Sequence, residues 1–138
     1  MKIRPLADRV VIKNIEAWPP HVMGPEAHVE HSMITGGCEV HGSVERSVLF
    51  HSVVVEEGAV VRYSILMPGT RVKAGAVVEY AIVAENALIC EGARVGAPPE
   101  GDGGKGIAVV AQNLRVGAGA AVPASAMITE DVKGGDAL

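Results

Sequence analysis

An all-β solenoid of short stacked coils is the fold the sequence predicts, and three observations predict it. The chain aligns with itself at an offset of 17, setting Val44-Glu-Arg-Ser-Val-Leu-Phe50 over Val61-Arg-Tyr-Ser-Ile-Leu-Met67 and Val78-Glu-Tyr-Ala-Ile-Val-Ala84. Residues that tolerate a left-handed backbone recur in the same register, as Gly58, Gly75 and Gly92 in one column and Ser52, Gly69 and Asn86 in another. The composition agrees: 22 valines and 19 alanines stand against one Phe, two Tyr and one Trp, so the core is built from small branched side chains placed repeatedly.

Taken in chain order, residues 1–13 (Met-Lys-Ile-Arg-Pro-Leu-Ala-Asp-Arg-Val-Val-Ile-Lys) do not fit the repeat. They are similar to the opening strand of the small co-chaperonin family, but the segment is too short to bring that function with it. Residues 1–17 are therefore read as an N-terminal extension or leader, in which Val10, Val11 and Ile12 would cover the open end of the solenoid. Trp18-Pro-Pro20 reads as a rigid entry. A first, shorter-spaced copy of the repeat follows as Val29-Glu-His-Ser-Met-Ile-Thr35.

Between corners only a few residues remain, rich in Val and Ile, which suits strands and is too short for helices of ordinary length. Val55 to Val61, Val72 to Val78 and Ile89 to Val95 are each six apart, and the spacing resumes at Val116, Val122 and Ile128. A 17-residue coil thus divides into three short strands and three turns. Val55, Val72 and Ile89 are expected to form one buried ladder, Val61, Val78 and Val95 another, and Ala59, Ala76 and Ala93 a column beside a tight corner. The offset of 17 also links Cys38 to Val55, and both Cys38 and Cys90 are placed in one inward column as reduced, unbonded thiols.

The stretches Val55-Glu-Glu-Gly-Ala-Val, Val72-Lys-Ala-Gly-Ala-Val, Ile89-Cys-Glu-Gly-Ala-Arg and Val116-Gly-Ala-Gly-Ala-Ala resemble the hexapeptide repeats of left-handed parallel β-helices, whose triangular prism and hand the resemblance implies. More narrowly, Ser32–Cys38, Gly42–Phe50, Tyr63–Thr70 and Val78–Val83, with an excursion at 96–106 and a following Gly-Ile-Ala-Val-Val110 strand, resemble the C-terminal domain of bacterial glucose-1-phosphate adenylyltransferase (ADP-glucose pyrophosphorylase) over residues 18–132. The domain division expected is therefore 1–17 extension and 18–138 β-helix with a loop at 96–106. The resemblance implies a non-catalytic oligomerisation and regulatory domain of glycogen biosynthesis. It lacks the family's nucleotidyltransferase unit and would be inactive in adenylyl transfer alone. Implied partners are a second copy through a prism face, the family's catalytic domain, and a sugar-phosphate or nucleotide effector.

The remaining motifs carry less. His21, His28, His31, His41 and His51 cluster in the first 51 residues, but His31 shares an outward column with Arg46, Tyr63 and Tyr80, and His41 and His51 sit in turns, so no metal site is expected. An alternative hexapeptide acyltransferase using coenzyme A would need His41 or His51 as general base, and neither has a partner motif. Gly101-Asp-Gly-Gly-Lys-Gly106 satisfies G-x-G-x-x-G, yet a β-run follows where a helix N-terminus is required, and Lys105 has no Ser or Thr after it. Arg46, Arg62, Arg71 and Arg115 are the cations an anionic effector would use, though Ala84-Glu-Asn86 and Ala111-Gln-Asn113 offer none. No catalytic residue, no metal ligand and no cofactor is thus expected, and cofactor-binding residues are left open. A stacked Tyr63/Tyr80 pair flanked by Phe50 and Met67 is expected to form an apolar stripe for subunit contact.

With 16 Asp and Glu against 12 Lys and Arg, the chain has no cationic footprint for nucleic acid. Its valine clusters are all interrupted before the roughly 20 residues a membrane span needs. Two cysteines without C-x-x-C spacing and no export signal point to a cytoplasmic setting.

Overall fold

The computed structural model describes residues 20–98 and 106–135. Their strands are only two or three residues long, shorter than the sequence spacing suggests, because the corners absorb the rest. They form three parallel six-stranded sheets, each taking one strand from every coil. Face 1 comprises Val22–Met23, Glu39–Val40, Val54–Val55, Arg71–Val72, Leu88–Ile89 and Arg115–Val116. Face 2 comprises His28–Glu30, Ser43–Glu45, Val60–Arg62, Val77–Glu79, Arg94–Val95 and Ala121–Val122. Face 3 comprises Met33–Ile34, Val48–Leu49, Ile65–Leu66, Ala81–Val83, Ala108–Val110 and Met127–Ile128. Together they make the triangular prism of a left-handed parallel β-helix of six coils.

The ladders form as expected. Val55 pairs with Val72 and Val72 with Ile89, while Val61, Val78 and Val95 pair in turn on face 2, and all are fully buried. Ala59, Ala76 and Ala93 are also fully buried. Parallel strands in strict register let each inward aliphatic touch its equivalents above and below, so burial of about 1.5–3 kcal/mol per side chain recurs in every coil.

One register expectation is overturned. Val40, not Cys38, pairs with Val55, because the step between these coils is 15 residues rather than 17. Cys38 instead shares a level with Val53, whose carbonyl accepts from Glu39 N–H at 2.9 Å, and Cys90 lies one residue beyond the Ile89 ladder. The two thiols occupy different columns, both buried and both unbonded to each other. An offset constant over the middle coils cannot be extended through a shortened one.

The corners explain the repeat. Gly58, Gly75 and Gly92 have φ of +77°, +72° and +69°, and Ser52, Gly69 and Asn86 have φ of +61°, +78° and +57°, as their residue types foretold. A third left-handed column, between faces 2 and 3, was not legible as a corner: His31, Arg46, Tyr63 and Tyr80 take φ of +48° to +51°. At His31, Arg46 and Tyr63 the serine that follows holds the corner, while Tyr80 is followed by Ala81 and its own carbonyl accepts from Ala108 N at 3.1 Å. Ser47 Oγ donates to Glu45 O at 2.8 Å and accepts from Ser64 N at 3.1 Å; Ser64 Oγ donates to Arg62 O at 2.7 Å and accepts from Ala81 N at 3.3 Å. Ser32 begins the same ladder. Each hydroxyl replaces backbone partners that the tight corner would leave unpaired inside.

The coil at Ile89 returns to face 1 only at Val116, a step of 27 residues, so the expected excursion lies between Val95 and Ala108. Residues 99–105, and with them most of the G-x-G-x-x-G match, lie outside the described residues, as do the 1–17 extension and Trp18. At the final coil Pro123 stands beside Gly96, whose N–H donates to Val122 O at 2.8 Å; proline offers no such donor to the open edge.

Candidate functional site

The outward residues of the three faces differ sharply in chemistry. Face 1 presents Glu39, Arg71 and Arg115 among apolar residues, and face 2 presents His28, Glu30, Glu45, Arg62 and Arg94. Face 3 presents Met33, Val48, Ile65, Ile82, Val109 and Met127, one from each coil and none charged. Because side chains alternate across a strand, the same short strands that drive Leu49, Leu66 and Val83 into the core must turn this row outward. Met33, Ile65 and Met127 remain 67%, 36% and 73% exposed. A continuous apolar strip along the whole prism is the feature that marks an interaction surface.

Its two rims are unlike. Along the corner shared with face 2, the Tyr63 and Tyr80 rings stack with centroids 4.7 Å apart and planes 4° from parallel, and Arg46 Cζ lies 6.0 Å from the Tyr63 centroid. The left-handed corner aims consecutive rings the same way, so the stacking follows from the coil repeat. Phe50 and Met67 do not flank the tyrosines, contrary to the expected stripe. They lie across the face at the opposite corner, where Phe50 N donates to Leu66 O at 3.0 Å and Met67 N to Val83 O at 2.9 Å. The apolar row joins the two rims into one surface, broader than the stripe read from the tyrosines alone. The alternating positions 33, 48, 65 and 82 carried the signal that would have found it.

The histidines are dispersed. His28 on face 2 is hydrogen-bonded to Glu30 Oε2 at 2.6 Å, His31 occupies the corner between faces 2 and 3, His41 lies at the corner of faces 1 and 2, 3.8 Å from Glu39, and His51 belongs to the corner of faces 3 and 1. The hydrogen bond and charge of His28 hold the Glu30 carboxyl below the usual carboxylate range, with smaller help from His31 and Arg46. Among the described residues no three metal-ligating side chains converge. His51 and Ser52 line a shallow depression of about 300 Å³ with Pro68, Gly69, Glu85 and Asn86. His41 borders a separate one with Glu56, Glu57 and Ala74. The two are on different corners and cannot serve one reaction centre together.

The arginines are equally divided. Arg71 and Arg115 project from face 1, Arg46 lies over Tyr63, and Arg62 Nε is 3.7 Å from the carboxylate of Glu79, which is buried beside it. They do not form one anion cradle. Among the described residues no helix is long and apolar enough to cross a membrane.

Comparison with known proteins completes the picture. Residues 21–116 match the family model described as GlmU-like, C-terminal hexapeptide. The chain is 36% identical over 110 residues to a glucose-1-phosphate adenylyltransferase of Clostridium perfringens, which covers 80% of this chain and 27% of that protein. It is 43% identical over 56 residues to the glycogen biosynthesis protein GlgD of Geobacillus stearothermophilus, covering 41% of this chain and 16% of that protein. The chain thus spans about a quarter of the length of the first of these relatives. Among solved structures, a mutant of perosamine N-acetyltransferase from Caulobacter crescentus superposes with a TM-score of 0.50 at 16% identity, covering 83% of this chain and 48% of that one, a likeness of fold.

Proposed function

The chain belongs to the GlmU-like C-terminal hexapeptide family, and from that premise we propose that it is the oligomerisation and regulatory domain of a glucose-1-phosphate adenylyltransferase of glycogen biosynthesis. The single observation that carries the reading is face 3, an uncharged row from Met33 to Met127 that runs the length of a prism whose other faces are charged. An exposed apolar strip of that extent is the kind of surface that marks a protein–protein contact. The similarity to adenylyltransferases and to a glycogen biosynthesis protein supports the pathway. Adenylyl transfer is assigned to the part of the relatives that this chain does not span.

In this reading the β-helix is a rigid strut: a change in how face 3 is packed is felt along the whole prism, because each coil is hydrogen-bonded to the next. Any sugar-phosphate or nucleotide effector would act through that packing, since the arginines do not converge on one site. Light scattering across a concentration series tests the core of the proposal, with a mass above that of one chain expected. Ile65→Lys, which sets a charge in the middle of the row, is expected to return the mass to one chain without unfolding it. A wild-type mass of one chain at every concentration overturns the reading.

A further inference from the structure

We infer that residues 5–18, which lie outside the described residues, dock on the open first coil as one more coil of the solenoid. The two ends of the prism differ. At the last coil the inward Val122 and Ile128 are only 2% and 7% exposed, and Val132 closes the stack through its bridge to Val116. At the first coil the inward Met23 is 41% exposed and Val29 and Ile34 are half-buried, although their partners Val40, Val44 and Leu49 one coil on are fully buried. Each of the three sheets ends there on a strand with no neighbour beyond it among the described residues. An apolar floor bordered by three free strand edges is shaped to receive further strands, and residues 1–19 join the structure at this end.

The described coils fix which residues fill it. From face 3 to the next face 1 the inward positions are six residues apart, as Ile34 to Val40 and Leu66 to Val72. From face 2 to face 3 they are five apart, as Val29 to Ile34 and Val61 to Leu66. Outside the shortened second coil, those of faces 1 and 2 are six apart, as Met23 to Val29 and Val55 to Val61. Counting back from Met23 by these steps reaches Ala17, Ile12 and Leu6. All three are apolar. Leu6 then covers Met23, Ile12 covers Val29 and Ala17 covers Ile34, continuing the three ladders by one level.

The corners and charges agree with this register. Asn14 falls in the left-handed column of His31, Arg46, Tyr63 and Tyr80, a conformation that asparagine accepts readily. Pro20 cannot supply the positive φ that Gly37 has at the same corner one coil on. The corner from Met23 to Val29 shows the alternative: it spans the same six residues with Pro25 in the place of Pro19, and none of its residues has a positive φ. Arg9 stands where that corner has Glu26. On the outer side of face 2 the register sets Lys13 beside Glu30, whose other neighbour is Glu45, so opposite charges meet across the new pair. Glu16 follows Met33 in the outward row of face 3, and the segment thereby ends the apolar strip with a charge.

Hydrogen exchange of the full wild-type chain, read residue by residue by NMR, tests the docking. In the pattern by which His28 N–H donates to Gly42 O, the amides of Val11 and Lys13 donate to the carbonyls of Ala27 and Val29, while that of Ile12 points out of the end. Val11 and Lys13 are expected to exchange at least about 100-fold more slowly than in an unstructured peptide, and Ile12 at close to the free rate. Free exchange at all three overturns the inference, as does slow exchange at all three or the reverse alternation. Two substitutions check the side chains: Ile12→Asp is expected to lower the urea midpoint and Val11→Asp to leave it unchanged. Equal midpoints for the two overturn the inward placement of Ile12, and if Ile12→Asp does not fold, the exchange pattern of wild type still decides.

Discussion

At the scale of single residues, what decides stability is how each corner tolerates a left-handed backbone. Gly69 and Gly92 both have positive φ, but a Cβ at Gly92 would meet nothing within 4 Å, whereas one at Gly69 would land on Asn86 Oδ1. Gly92→Ala is therefore expected to lose only the conformational term of about 1–2 kcal/mol. Gly69→Ala should lose more, because Asn86 must also move; urea denaturation of the two variants measures the difference. Ser64→Ala removes the hydroxyl that accepts from Ala81 N–H. The chain itself shows the fallback one coil on: there Ala81 replaces the serine and Ala108 N donates to Tyr80 O at 3.1 Å. A loss of about 1 kcal/mol, at the low end for a buried donor, is the expected outcome by the same measurement. Cys38 gives a pH dependence. Burial raises its thiol above the ordinary 9.0, against smaller opposing effects of hydrogen bonds from its surroundings, so above that pH the unfolded thiol ionises while the folded one keeps its proton. Its contribution is whole below that value and is lost as pH rises past it. Between about pH 8 and about pH 10 the urea midpoint of wild type should fall further than that of Cys38→Ala.

At the scale of elements, the strands are too short to be stable alone and owe their existence to neighbours above and below. Val72 has a coil on each side, paired to Val55 and Ile89, while Val132 closes the stack through a single bridge to Val116. Val72→Ala should thus destabilise by about 2–3 kcal/mol through lost burial and an uncollapsed cavity, and Val132→Ala by distinctly less. Denaturation midpoints of the pair test whether stability is shared between nearest neighbours. The corner ladders were unequally legible. Glycine and asparagine announce a left-handed residue, whereas Tyr63 and Tyr80 do not, since their conformation is imposed between coils, by ring stacking for both and by the Ser64 hydrogen bonds for Tyr63.

At the scale of the whole molecule, the prism converts a local alternation into three long surfaces of different chemistry. Face 3 is the one whose outward row carries no charge, and its length is set by the number of coils. A charge at its centre should matter more than one at its end. Ile65→Lys is expected to abolish self-association, and Met127→Lys, at the last coil, to weaken it by a smaller factor. Sedimentation or light scattering at matched concentrations would compare them.

The sequence by itself determined the solenoid, the two glycine-marked corner columns and the middle ladders, because identical residues recurring at a fixed offset can satisfy one another only by stacking. It also determined that Tyr63 lies over Tyr80. Tertiary structure alone decided three things. The shortened second coil moved Cys38 out of the Val55 column. The third corner was closed by serines whose partners lie 15 to 17 residues away. Phe50 and Met67 were placed across face 3 from the tyrosines, so that the alternating apolar positions between them form one surface. Each depends on contacts between coils rather than within one, and a repeat read along the chain shows what recurs but not which side of the prism it turns toward.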